Sequence, residues 1–86
     1  MEYFKGKIEL DGEVVVERVV GLLQVRTDRG GRKIWQGSFE ASDDYNLGSY
    51  GTYRLVLDDG RSGEILFADI QPLAGRVVFV GSGPLA

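Results

Sequence analysis

The first ten residues already restrict the fold. Phe4, Gly6, Ile8 and Leu10 alternate with Tyr3, Lys5, Lys7 and Glu9. A period of two is the pattern of a strand with one buried face, whereas a helix would repeat its apolar residues every three to four positions. Asp11-Gly12 follows at once, and then Glu13 and the β-branched run Val14, Val15, Val16. Both turn residues tolerate the positive φ that a two-residue hairpin connection requires, so the first two strands are expected to form a hairpin.

The same rhythm continues along the chain. The second strand is expected over residues 13–27. Its alternation breaks, because Val14 and Val16 pointing inward would carry Arg18 inward too, and a bulge or bend at residues 18–21 would reset the register before Leu23 and Val25. Residues 28–33 (D-R-G-G-R-K) form the next turn. The third strand covers about residues 32–41, with Trp35, Gly37 and Phe39 sharing a face. Residues 42–48 carry neither a strand pattern nor the apolar repeat of a helix and are expected to connect. A fourth strand covers about residues 50–57, a turn residues 58–63, a fifth strand residues 64–70, a turn residues 71–75 and a sixth strand residues 76–81. Residues 82–86 are expected to be a flexible tail, outside a single β-barrel domain of residues 1–81. Residues 3–16 and 53–67 echo each other faintly: a tyrosine, alternating residues, Leu-Asp, glycine, glutamate and an apolar run.

Six strands and no helix imply an all-β fold. An open sheet would leave an apolar face bare and two edges unpaired. An antiparallel six-stranded meander closed into a barrel removes both problems, and a two-sheet β-sandwich is the alternative. Closure needs sharp bends, and Gly6, Gly21, Gly37 and Gly51 fall within or beside strands, where glycine otherwise costs stability. With 86 residues the chain suffices for one small domain. Phe4, Trp35, Phe39, Phe67 and Phe79 are expected to fill a six-stranded interior, leaving no space there for a small-molecule ligand.

The composition removes several chemistries. The sequence has no histidine and no cysteine, so the commonest general base, the thiol nucleophile and the usual zinc ligands are missing. No serine or threonine stands in a nucleophile-elbow context. Carboxylate-pair catalysis by Glu17, Glu40 or Asp69 is open in principle, since strict alternation through Ile65 and Phe67 would bring Asp69 inward. Asp44, Asn46 and Gly48 resemble the start of a calcium loop, but the glycine stands one place early and the twelfth position is Leu55 in place of glutamate. The reading is therefore a protein that is not an enzyme, with no cofactor and no metal. No signal-peptide pattern or membrane-length apolar run occurs, so a cytoplasmic location is the default expectation.

What remains is surface. Asp58, Asp59, Gly60 and Gly63 are residues that a hairpin tip demands. Arg26, Arg29, Arg32 and Lys33 gather around Gly30-Gly31 and form the strongest positive patch. Tyr45, Tyr50 and Tyr53 cluster about the connecting segment, where tyrosines can anchor a partner. The expected function is a binding or assembly module acting through its surface on a protein partner or a second copy of itself. Its candidate contact residues are Arg29, Arg32, Lys33, Tyr45 and Tyr50. The alternative is binding of nucleic acid or another anionic partner through the basic hairpin at residues 26–33, against which the net charge of −3 weighs.

Overall fold

The computed structural model describes residues 1–40, 51–71 and 75–86. Its strands are β1 (Glu2–Leu10), β2 (Glu13–Thr27), β3 (Lys33–Glu40), β4 (Tyr53–Leu57), β5 (Ser62–Gln71) and β6 (Arg76–Gly81). All neighbours are antiparallel, and they close into a barrel in the order β1-β2-β3-β6-β5-β4. The barrel forms, and the sandwich does not.

The meander comes in two parts. β1-β2-β3 is one three-stranded meander and β4-β5-β6 a second, joined edge to edge by β1 with β4 and by β3 with β6. Exchanging β1 with β4, β2 with β5 and β3 with β6 leaves the strand order unchanged. The two echoing sequence segments therefore occupy equivalent places in the two halves, and Ile8 of one pairs directly with Leu55 of the other.

Local chemistry sets the turns. Asp11 and Gly12 have φ of 51° and 89°, the left-handed pair of a type I′ turn. Asp11 also fixes the entry to β4: its N–H donates to the Thr52 carbonyl at 3.0 Å, and its Oδ1 accepts the Thr52 N–H at 2.9 Å. The β2–β3 and β4–β5 connections share one design. Asp28 N–H donates to Arg32 C=O and Gly31 N–H to Asp28 C=O; Leu57 N–H donates to Arg61 C=O and Gly60 N–H to Leu57 C=O. Gly31 and Gly60 close these loops at φ of 80° and 97°. The aspartates at residues 58–59 are thus turn residues.

The break in β2 is real but lies earlier than expected. Gly6 pairs with Val19 and Ile8 with Val16, so β2 carries an extra residue among Glu17 and Arg18; a second falls at Val15, between the Ile8–Val16 and Glu9–Val14 pairs. The slip lets Arg18 stay exposed while Val16 and Val19 are both buried. In β5 the register shifts between Phe67 and Asp69, so strict alternation does not run on through this point; the Asp69 side chain, considered above for carboxylate chemistry, lies outside the described residues.

Phe4, Ile8, Leu23, Phe39, Leu55, Ile65 and Phe79 are among the buried core residues, and no polar or charged residue is buried among the described ones. Phe79 is completely buried and meets Phe4, Trp35 and Phe39 at ring-centroid distances of 6.0, 6.2 and 6.1 Å. Phe67 bridges Phe39 and Tyr53. Trp35 and Phe39 share the inner face, as the alternation requires.

Residues 82–86, expected to be a flexible tail, are hydrogen-bonded to the barrel. Ser82 N–H donates to Glu64 C=O, and Ser62 and Ala86 exchange a reciprocal pair of main-chain bonds at 2.8 and 2.9 Å. Leu85 packs against the core.

Candidate partner-binding surface at one end of the barrel

Antiparallel order places the β2–β3 hairpin, the β4–β5 turn and residues 82–86 at the same end. Trp35 closes that end from inside. A Cβ on Gly63 or Gly81 would run into the indole, so the ring lies directly on two glycine backbones. Its Nε1–H donates to the Gly83 carbonyl at 2.7 Å, which ties the final segment across the end. The sequence marked Gly63 only as a hairpin-tip residue and did not single out Gly81. A glycine at the start of β5 and another at the end of β6 reads as turn chemistry until the tryptophan is seen to rest on them.

Replacing Trp35 with phenylalanine keeps a ring in place and removes the N–H donor. The expected result is a loss of about 1–2 kcal/mol in urea unfolding, from one net hydrogen bond and a smaller ring. Hydrogen exchange at Ala86 and Ser82 should also accelerate, because the tail loses the bond that holds its middle.

The basic hairpin is built stiffly. Asp28 Oδ1 accepts N–H groups of Gly30 and Arg32, both at 2.9 Å, so the one acid of this loop is spent on its own backbone. Among the described residues the ion pairs are Lys7–Glu9, Arg54–Glu64, Arg61–Glu2 and Arg61–Asp59. None involves Arg26, Arg29, Arg32 or Lys33, and all four are exposed. Arg61 differs: it holds Asp59 at 2.8 Å and Glu2 at 3.0 Å, and its hydrogen bonds keep the Asp59 carboxyl below the usual carboxylate range.

Between the start of β3 and the last residues lies a recess of about 650 Å³. Val25, Trp35, Pro84 and Leu85 give it apolar walls, while Arg32 and Lys33 stand at its rim. Two shallower grooves of about 320 and 310 Å³ lie elsewhere, on the sides of β2 and β3 around Leu22 and Ser38. Tyr3, 85 % exposed, stands opposite Leu22 beside the second of them.

The structure thus brings Arg29, Arg32 and Lys33 together, whereas Tyr45 and Tyr50 lie outside the described residues, as do Asp43, Asp44 and the rest of the calcium-like stretch. Tyr53 is a core residue, its ring 4.7 Å from that of Phe67. Glu17 and Glu40 are exposed strand residues, and no group of three or more metal-ligating side chains occurs among the described residues. Among those residues no helix is long and apolar enough to cross a membrane. Comparison of the chain with family models, with curated proteins and with solved structures finds no match.

Proposed function

We propose that this protein is a non-enzymatic binding module that engages an anionic protein partner through the barrel end carrying the β2–β3 hairpin. The observation that carries this reading is the set of four exposed cations, Arg26, Arg29, Arg32 and Lys33, on a hairpin whose one carboxylate is committed to its own turn. Cations with no counterion among the described residues, held on a pre-organised loop, lose little conformational entropy when a partner supplies the acid. Nucleic acid would use the same cations. A single strand would add base stacking on an aromatic face, and the ring nearest these cations in the hairpin, Trp35, is 5 % exposed, packed on glycine backbones and on Phe79.

The test is binding of fluorescent poly-glutamate by anisotropy across a salt series, with single-stranded DNA of equal charge alongside. Poly-glutamate is expected to bind with an affinity that falls as salt rises. Reversing Arg29, Arg32 and Lys33 to glutamate should weaken it at least about tenfold, or about 1.4 kcal/mol, with the thermal midpoint nearly unchanged. Absence of binding at low salt, or an unchanged affinity in the triple variant, would defeat the reading.

Assembly with a second copy is the second reading. Tyr3 at 85 % and Val20 at 47 % exposure, beside Leu22, form an apolar surface along β1 and β2 that favours it. Light scattering that gives a monomer mass across the micromolar range removes this second reading.

A further inference from the structure

The ladder between β3 and β6 stops at the Gln36–Val80 pair, while β3 itself continues back to Lys33, paired on its other side with β2. In an antiparallel ladder, bonded and non-bonded pairs alternate. Asp28 N–H donates to Arg32 C=O, so that pair is bonded and the next, Thr27–Lys33, is not. The N–H and C=O of Lys33 therefore point away from β2, toward the place where β6 would lie. β6 does not reach it. Beyond Gly81 the chain turns to β5, bonding through Ser82 to Glu64 and through Ala86 to Ser62. The barrel is split at this point, and the recess of about 650 Å³ occupies the split.

Resting on the reading of this end as a site for anionic protein, we infer that its ligand is an extended peptide segment of alternating acidic and apolar residues, which adds as a strand to the free edge of β3 at Lys33. Three observations converge on it. The edge offers main-chain groups of Lys33 that a strand can satisfy. Trp35 and Val25 share the inner face of the hairpin, and Leu85 stands across the recess, so apolar side chains of an added strand have a floor and a wall. Arg26 and Arg32 lie on the opposite face, where the intervening residues of that strand emerge at a period of two. Alternation in the peptide thus meets alternation in the hairpin: apolar side chains inward, carboxylates outward onto guanidinium groups. A uniformly acidic chain would satisfy the outer face alone.

The probe is a capped heptapeptide of alternating glutamate and leucine, compared with a capped heptaglutamate, each titrated into the full chain. Hydrogen exchange at the Lys33 amide is the direct readout, because a positive charge alone gives it no partner. The alternating peptide is expected to bind at least about tenfold tighter than heptaglutamate. It should also slow Lys33 exchange at least about tenfold and shift the Trp35 indole resonance. Lys33→Pro removes the N–H at an edge position where proline is tolerated, and Lys33→Gln removes only the charge. The proline variant should lose binding of the alternating peptide about tenfold beyond the glutamine variant. Should Lys33→Pro not fold, the exchange measurement on the unaltered protein decides alone. Equal affinity for both peptides with no protection at Lys33 overturns the strand-addition inference and leaves the anionic-partner reading standing. Binding of neither peptide overturns both.

Discussion

Replacing Phe79 with alanine should cost about 3–5 kcal/mol and lower the thermal midpoint by more than roughly 12 °C, the largest loss expected of any single side-chain truncation in this chain. The position explains the size. Phe79 is completely buried, stands on β6 between the two three-stranded halves, and touches rings from β1 and β3 at once. Its ring also lies against Gly37, which has no side chain to expand into the space it would vacate. Folded chains of this length carry about 4–13 kcal/mol of net stability, so the cavity removes a large share of it. Urea unfolding followed by Trp35 fluorescence measures the loss. Leu66, 60 % exposed on the neighbouring strand, is the control, and its alanine variant should stay within about 0.5 kcal/mol of the original. A Phe79→Ala loss below about 1 kcal/mol would mean that the two halves are not held together through this ring.

The alternation that placed Phe79 inside was legible from residue order, and so were Trp35 and Phe39 on one face and the Asp11-Gly12 turn. What could not be read is which strands meet at the closing seams. Six alternating strands satisfy the same hydrophobic pattern whether they close as one continuous meander or as two meanders joined edge to edge, because each residue knows its face but not its neighbour strand. The echo between residues 3–16 and 53–67 was the available trace of the two-part order. The bulges were legible in kind and less so in place: Arg18 announced a slip, yet the extra residues sit at and before Arg18, ahead of Gly21. At the candidate site the four cations were visible as a cluster in sequence. The recess beside them was not, since it depends on residues 82–86 turning away from β3 to pair with β5, a tertiary choice made about fifty residues from the hairpin.

Glycine carries the second large effect, and it separates geometry from composition. Gly21 pairs with Phe39 where β2 crosses β3, and a Cβ there would overlap the Ser38 carbonyl oxygen and lie 2.9 Å from its carbon and 3.0 Å from the Phe39 Cα. These atoms are the backbone of the partner strand, so relief requires the strands to move apart and their ladder to stretch. Gly21→Ala is therefore expected to destabilise by about 3 kcal/mol or more, although the same substitution in an unconstrained strand would gain stability through the unfolded state. Gly30 provides the contrast. Its nearest neighbour for a Cβ is Asp28 Oδ1 at 3.5 Å, an ordinary contact, and its φ lies outside the left-handed region. Gly30→Ala should be neutral or stabilising by up to about 1 kcal/mol. Two glycine-to-alanine changes nine positions apart should thus differ by at least about 3 kcal/mol in chemical denaturation. The difference tests the close approach of β2 to β3 itself: strands at ordinary separation would accept alanine at residue 21, and the two variants would unfold together.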